Sequence, residues 1–191
     1  HLPYLRLGIN KETHQNSLPS LENVDGLCYT CKLYCYLQIL PRRDPEESTL
    51  RQTVTIPPAE IDRQRAALLE KGVVSENELA AVHPRLLVRL FASPLGVRML
   101  AAGELHREWA FTYRRETEDG AQLLQGVIDC CFIERGAWVL VDYKTDADAA
   151  GAIERHRPQL ELYAQALAGI TGRPVRERVL YLVRAGMGYQ V

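Results

Sequence analysis

The sequence lacks a large net charge. Its 23 Lys and Arg residues are balanced by 24 Asp and Glu residues, so the formal net charge is -1 over 191 residues. This balance excludes a strongly basic domain that coats nucleic acid through charge alone, although nucleic acid stays open as a substrate. Together with a hydrophobic share of 47%, the small net charge also excludes a disordered chain. The length predicts one domain with elaborations, or a small pair, with a core that needs no metal or disulfide.

The sequence also lacks a long apolar run. The most apolar stretch, residues 86–99, is interrupted by Arg89, Pro94 and Arg98, whereas a membrane-spanning helix needs about 20 mostly apolar residues. Residues 1–3, His-Leu-Pro, show neither the charged nor the apolar region of a signal peptide. We therefore expect no membrane partner, and the start without Met suggests a piece of a longer chain.

Cysteines are few, and their number is odd. They are Cys28, Cys31, Cys35, Cys130 and Cys131. An odd count without a secretion signal is typical of a reducing cytosol. The first three have the spacing of a metal site, but no second CxxC or HxxxH pattern supplies a fourth ligand. We expect structural or incidental cysteines there, with a metal or iron–sulfur site as the alternative. Cys130 and Cys131 would point to opposite faces of a strand, so we do not expect them to pair.

Helix signals fill the region 57–103, whereas residues 1–56 give one firm apolar segment, 28–40, which reads as a helix or a strand. Pro57-Pro58 begins a first helix that Gly72 ends. Ser75, with Glu78 three residues later, forms a capping box for a second helix that ends before Pro84. Leu86, Leu87, Leu90 and Phe91 form the stripe of a third helix. Ser93-Pro94 begins a fourth, which runs to about Ala102.

Strand signals dominate the region 104–191. Residues 108–113, 123–133 and 138–143 predict three strands in a hairpin meander, separated by turns at Gly120 and Gly136. A helix is predicted from about His156 or Pro158 to Ile170, followed by a last strand at 179–183. This order predicts an α/β (α+β) core with a mixed central sheet flanked by helices.

Three charged residues lie in or next to the predicted strands. Asp142 lies at the end of the most apolar strand, and Lys144 shares its face because side chains alternate with period two. Asp129 closes the apolar run that begins at Gly126 in the neighbouring strand. Two close carboxylates repel each other unless a cation lies between them, and Mg²⁺ takes such oxygen ligands. The alternative is a buried Asp142–Lys144 salt bridge with Asp129 as an unrelated turn carboxylate.

The order of these motifs resembles the RecB-like branch of the PD-(D/E)XK nuclease superfamily. The motifs are Glu108-Trp109-Ala110-Phe111, Gln125-Gly126-Val127-Ile128-Asp129, Asp142-Tyr143-Lys144-Thr145 and Gln159-x3-Tyr163. The resemblance implies a restriction-endonuclease-like core over 104–191, preceded by a helical lead-in over 57–103 and a divergent segment over 1–56.

The same resemblance implies the roles of the site residues. Asp129 and Asp142, with the backbone carbonyl of Tyr143, would bind Mg²⁺ or Mn²⁺. Lys144 would position or activate the attacking water. The supporting or DNA-contacting residues would be Glu108, Gln159 and Tyr163.

Within the branch, the chain is most similar to the C-terminal nuclease domain of the AddA family of bacterial helicase–nuclease proteins. This implies a cytoplasmic, metal-dependent DNA exonuclease that acts in double-strand break repair and recombination. The sequence contains no Gly-x-x-x-x-Gly-Lys-Ser/Thr phosphate loop. Its partners would therefore be DNA, a helicase portion of the same chain and the other subunit of an AddAB-type complex. The alternative is a catalytically inactive nuclease fold that binds DNA or acts as a scaffold.

Two features depart from the branch. Its upstream Gly-Thr-x-x-His signature, whose histidine joins the metal site, is not found, and Thr13-His14 is the nearest approach to it. Members with an iron–sulfur cluster place one cysteine before the core and three after it. Here three cysteines precede the core and none follows Cys131, so we do not predict a cluster.

Overall fold

A computed structural model describes residues 4–6, 56–118 and 120–191. The predictions for the apolar segment 28–40, for Thr13-His14 and for Cys28, Cys31 and Cys35 fall outside these residues. The region predicted to carry the chemistry, from Glu108 to Tyr163, is described except for residue 119.

Four helices occupy the region predicted to be helical. They are α1 (Pro58–Glu70), α2 (Glu76–Ala81), α3 (Pro84–Ala92) and α4 (Pro94–Ala101). The capping box is present, because Ser75 Oγ accepts from the Glu78 N–H at 3.3 Å and the Glu78 carboxylate accepts from the Ser75 N–H at 2.7 Å. Ser93 Oγ accepts from the Gly96 N–H at 3.1 Å. The predicted helix boundaries are therefore confirmed to within one or two residues. No helix in the described ranges is long and apolar enough to cross a membrane.

The strands of the described residues form one mixed, six-stranded sheet. They are β1 (Tyr4–Arg6), β2 (Leu105–Thr117), β3 (Gly120–Glu134), β4 (Ala137–Lys144), β5 (Val175–Leu182) and β6 (Met187–Gln190). The predicted meander of β2, β3 and β4 is confirmed, with both pairs antiparallel. β5 is parallel to β4, and β6, which the sequence pattern did not predict, pairs antiparallel with β5.

β3 is the longest strand and has three neighbours. β2 pairs along nearly its whole length, so β1 and β4 must share the opposite edge. On that edge β1 pairs with residues 123–125 and β4 pairs with residues 130–134. Between them lies the stretch 126–129, to which neither of these two strands is paired. Next to Asp129, this edge of β3 is therefore paired with no strand of the described residues.

The helix between β4 and β5, α5 (Ala149–Thr171), begins earlier than predicted. The predicted start at His156 or Pro158 is wrong. Asp148 caps the helix, with its carboxylate accepting from the N–H groups of Ala150 at 3.2 Å and Gly151 at 2.8 Å. Pro158 lies inside the helix, where it lacks a donor for the preceding turn, but on an exposed position. The Asp148 cap was the sequence signal for the true start.

The sheet is buried on both faces. One face packs against the lead-in helices through Cys130, Phe132, Val139, Val141, Tyr143, Val179 and Tyr181. The other packs against α5 through Ile128, Cys131, Trp138, Leu140, Leu180 and Leu182. Cys130 and Cys131 therefore lie on opposite faces and are free, as expected. The predicted mixed sheet flanked by helices is confirmed, and its most buried strand, β4, ends at the candidate site.

The packing of α3 gives a test of this layer. Leu90 is fully buried between the lead-in helices and the sheet. We expect Leu90→Ala to lower the free energy of unfolding by about 2–5 kcal/mol, because the substitution leaves a cavity. Ile170→Ala, on the exposed end of α5, is the control and should cost less than about 1 kcal/mol. Urea unfolding of both variants measures the difference, and equal losses would contradict the packing described here.

Candidate active site

Three acidic residues lie in one row across the sheet. Glu108 of β2 is opposite Asp129 of β3, because the flanking residues of the two strands pair in one continuous register. The ladder between β3 and β4 ends at Cys130–Val141, so the next position opposite Asp129 is Asp142. The motifs predict that Asp129 and Asp142 meet, and the alternative in which Asp129 is a remote turn residue does not fit this register.

The strands separate at this row, and the side chain of Asp129 occupies the gap. Its Oδ2 accepts a hydrogen bond from the backbone N–H of Tyr143 at 2.9 Å. A buried backbone N–H needs a partner, and here a carboxylate supplies it where the ladder has ended. In an extended strand the N–H and C=O of one residue point to the same side. The Tyr143 carbonyl therefore lies on the same strand edge as the Asp129 carboxylate.

The backbone is irregular at the same row. Glu108 has φ +47°, a left-handed conformation that is costly for a residue other than glycine. Residues three apart in a regular strand point to opposite faces, yet the rings of His106 and Trp109 are 4.9 Å apart. On β3, Ile128 and Cys131 likewise share the face that packs on α5. Both strands thus change their alternation at the acidic row while keeping their register.

Lys144 lies beside this row on the same strand as Asp142. Its Nζ is 2.7 Å from Asp142 Oδ2, which confirms that the two residues share a face of β4. The ammonium group neutralises one of the two carboxylates. Asp129 and Asp142 are only 6% and 4% exposed, so a second negative charge is held in a poorly solvated place.

Electrostatics make this carboxylate pair receptive to a cation. Burial, and then the charge of Asp142, raise the pKa of Asp129 to about 7, although Lys144 and the Tyr143 N–H act in the opposite direction. The charge of Glu108 adds the smallest increase. Two carboxylates and a backbone carbonyl are hard oxygen donors of the kind that Mg²⁺ takes, with water completing the shell. These residues therefore fit a divalent cation.

The described residues offer few side-chain ligands for a metal ion at this place. Within the described residues no group of three or more His, Cys, Asp or Glu side chains is close enough together to hold a metal ion. Glu108 belongs to the row, but it is not part of such a cluster. Of the described residues, Asp129, Asp142 and the Tyr143 carbonyl would be the ligands of a cation here, and water or substrate oxygens could join them.

Gln159 and Tyr163 cover the site from α5. The Tyr163 ring packs edge-on against Phe111, with centroids 5.1 Å apart. Burial raises the pKa of Tyr163, a hydrogen bond with Gln159 acts against this, and the charges of Asp142 and Asp129 raise it further. Gln159 and Tyr163, one helical turn apart, are thus hydrogen-bonded to each other, and Tyr163 interacts electrostatically with Asp129 and Asp142.

Packing against Tyr163 explains why residue 126 is a glycine. A Cβ built at this position would lie 2.5 Å from the Tyr163 hydroxyl, a distance that no side chain tolerates. The glycine therefore lets the tyrosine lie directly against β3, next to the acidic row. From the sequence, Gly126 stands out only through the family resemblance, and the contact with α5 supplies the cause.

One charged cluster next to the site was not predicted. Asp146, two residues after Lys144, accepts hydrogen bonds from Arg155 and from His156 of α5. These bonds, the one from His156 first, hold the pKa of Asp146 well below its usual range. The available signal was an acidic residue directly after the lysine, with two basic residues in the following helix.

Comparisons with known proteins agree with the motifs. The profile of the PD-(D/E)XK nuclease superfamily matches residues 36–190, which confirms the resemblance. The chain is also similar to the AddA-type subunits of the ATP-dependent helicase/nuclease of three bacteria. Identity is 37% over 132 residues for Desulforamulus reducens (62% of this chain, 11% of that protein). It is 36% over 143 residues for Alkaliphilus metalliredigens (68% and 12%), and 38% over 140 residues for Desulforudis audaxviator (66% and 11%). The chain thus spans about a tenth of the length of these relatives.

The raised pKa of Asp129 predicts how pH affects the stability of the metal-free protein. Because its pKa is higher in the folded state than in the unfolded state, the folded state holds the proton longer. Stability should therefore fall as pH rises from about 4 to about 8. We expect Asp129→Asn to remove a fall on the order of 4 kcal/mol, while its amide oxygen still accepts from Tyr143.

The exposed Asp62→Asn on α1 is the control, and its pH profile should follow that of the unmodified chain. Urea unfolding in EDTA at several pH values measures the effect. Parallel profiles for Asp129→Asn and the unmodified chain would contradict the electrostatic description of the pair.

Proposed function

The chain belongs to the PD-(D/E)XK nuclease superfamily, and we propose that it hydrolyses DNA phosphodiester bonds at the Asp129–Asp142–Lys144 site with the help of Mg²⁺, or of Mn²⁺ in its place. One observation carries this proposal. Two buried carboxylates meet where β3 and β4 separate, with a single lysine on the same face. Such an arrangement is costly in an apolar interior unless a cation and an anionic substrate use it.

The metal would be held by Asp129, Asp142 and the backbone carbonyl of Tyr143. A divalent cation bound there supplies a Lewis acid that lowers the pKa of water and offsets the charge of the phosphate. Asp129 has a second task, because its carboxylate also fixes the Tyr143 backbone at 2.9 Å. The two acids are therefore not equivalent: one braces the strands as well as binding, and the other is paired with the lysine.

Lys144 is the group that would act on the reacting atoms. Its ammonium lies on the same face of β4 as Asp142, 2.7 Å from that carboxylate. In hydrolysis a water oxygen bonds to phosphorus, the bond to the leaving oxygen breaks, and that oxygen takes up a proton. Lys144 would orient the water or hold a nonbridging phosphate oxygen during this exchange. Gln159 and Tyr163 would then position the phosphate from the α5 side.

The relatives suggest the setting of this chemistry. They are helicase/nuclease proteins of which this chain matches about a tenth. We therefore propose that it works as the exonuclease domain of such a protein, in double-strand break repair and recombination in the bacterial cytoplasm. A helicase portion of the same protein would deliver DNA, together with the other subunit of an AddAB-type complex. The alternative, an inactive DNA-binding or scaffold domain, is less favoured because Asp129, Asp142 and Lys144 are all in place.

Cleavage of linear DNA tests the proposal. With Mg²⁺ we expect Asp129→Asn, Asp142→Asn and Lys144→Ala each to lower the rate at least about a hundredfold, because each removes charge stabilisation at the reacting phosphate. Lys71→Ala, an exposed lysine after α1, is the control and should cleave like the unmodified chain. Metal-dependent cleavage that survives all three site substitutions would refute the assignment.

A binding measurement separates an inactive scaffold from an active nuclease that needs its helicase. Mg²⁺ should raise the unfolding temperature of the unmodified chain and of Lys71→Ala, but not that of Asp129→Asn or Asp142→Asn. DNA binding without any effect of Mg²⁺ on stability would instead favour the scaffold alternative.

The contact between Gly126 and Tyr163 gives a second prediction. Gly126→Ala should displace the tyrosine and lower the cleavage rate on the order of tenfold, because the phosphate would be poorly positioned. Val127→Ala changes the next residue, which is 39% exposed, and should cleave normally. Equal rates for the two variants would show that Tyr163 does not position the substrate.

A further inference from the structure

The cluster of Asp146, Arg155 and His156 joins the loop that follows β4 to the first half of α5. The Asp146 carboxylate accepts from Arg155 Nη2 and, at 3.2 Å, from His156 Nε2. The side chains of Asp146 and His156 are 22% and 21% exposed, whereas Arg155 is 57% exposed. The cluster is thus anchored at the carboxylate and open to solvent at the arginine.

The cluster lies on the side of α5 that faces the site. His156, Gln159 and Tyr163 follow one another at i, i+3 and i+7, so they share one face of the helix. Tyr163 contacts β3 at Gly126, and seven residues of helix cover roughly 10 Å. Because the loop that carries Asp146 leaves β4 just after Lys144, its bond to His156 places this part of α5 near the end of β4.

The chemistry of the cluster suits a phosphate. One carboxylate cannot neutralise both an arginine and a protonated histidine, so the cluster presents an excess of positive charge when His156 is protonated. A guanidinium has five N–H donors, of which Asp146 takes one from Nη2. With Nε2 of His156 held by Asp146, the Nδ1 atom is the ring nitrogen that can meet a second anion.

A purely structural role accounts for the cluster less well than phosphate binding does. An exposed pair of this kind adds little stability, and either basic residue alone would tie the loop to the helix. A nearly neutral chain, by contrast, needs local cations where DNA enters. Phosphates follow one another at roughly 3.4 Å of duplex axis per nucleotide, and at larger steps in a stretched strand. The axial distance of roughly 10 Å between His156 and Tyr163 on α5 therefore corresponds to one to three nucleotides.

We propose that Arg155 and His156, oriented by Asp146, form a second phosphate-binding subsite for the DNA strand, one to three nucleotides from the bond that is cut. The subsite rests on the proposed nuclease function, whose catalytic residues it does not include. Arg155 binds the phosphate through its remaining donors, and His156 binds it through Nδ1. Asp146 is a positioning residue, since it fixes the two basic groups without touching the substrate.

Single-stranded oligonucleotides with one neutral methylphosphonate at successive positions test the subsite on the purified chain. We expect neutralisation at one position, one to three nucleotides from the cut, to lower kcat/KM of the unmodified chain on the order of tenfold. Arg155→Ala and His156→Ala should raise KM by a similar factor, leave kcat unchanged and no longer respond to that position. Arg176→Ala removes an exposed arginine at the start of β5, the far end of the sheet, and should behave like the unmodified chain.

Two further outcomes are decisive. If the Arg155 and His156 variants respond to every methylphosphonate as the unmodified chain does, or lose kcat at constant KM, the subsite is refuted. His156→Gln keeps a donor and should recover part of the affinity for DNA that His156→Ala loses. If His156 were merely structural, the glutamine variant would recover no affinity over the alanine variant when both have the same unfolding temperature.

Failure of the proposed function is recognised separately. If the unmodified chain cuts no oligonucleotide, fluorescence anisotropy with Ca²⁺ still measures binding of the same strands. Weaker binding by Arg155→Ala and His156→Ala than by Arg176→Ala, on the order of tenfold and confined to one phosphate position, would support the subsite without cleavage. Equal affinities of all three variants would overturn it.

Discussion

The hydrogen bond from the Tyr143 N–H to the Asp129 carboxylate is the interaction on which the site depends. It occurs where the β3–β4 ladder ends, so a side chain takes over the part of the next backbone acceptor. The two strands can separate without leaving a buried donor unpaired. The resulting gap brings a carboxylate, a backbone carbonyl and the paired Asp142–Lys144 together on one edge. A regular ladder would have filled the same space with main chain.

The surroundings of this gap are rigid for a separate reason. β4 is buried along almost its full length between the lead-in helices and α5, so Asp142 and Tyr143 are fixed by apolar packing from both sides. The strain is concentrated on the other strands, at Glu108 with φ +47° and at Asp129 with its raised pKa. Strained and poorly solvated groups persist only where the rest of the structure holds them in place. The two-sided core supplies that support.

The sequence predicts the parts of the site that obey simple periodicity. Asp142 and Lys144 share a face because they are two apart in a strand, and Gln159 and Tyr163 share one because they are four apart in a helix. The spacing of three between Gly126 and Asp129 does not follow from any regular strand. Gly126 contacts Tyr163 on the α5 side, and Ile128 still follows the regular alternation on that side, so the alternation changes only at the acidic row that contains Asp129.

Other features depend on tertiary contacts that no local pattern reveals. The change of alternation is shared by β2 and β3, so it cannot be seen in either strand alone. The start of α5 was misplaced because Pro158 looks like a first residue, while Asp148 caps the helix ten residues before it. The contacts of Asp146 with Arg155 and His156 join a loop to a helix face, and only the folded chain brings them together.

The near-neutral charge of the chain is matched by a local balance of charges at the site. Two cations near the site are engaged by carboxylates, since Lys144 faces Asp142 and Arg155 faces Asp146. With both acids ionised, Asp129, Asp142 and Lys144 together carry one negative charge, which repels a phosphate. A divalent cation would reverse that sign to one positive charge, and in this poorly solvated place the reversal is weakly screened. DNA would therefore be held at the reacting position only when the metal is present, so binding of the metal and of the scissile phosphate would be coupled.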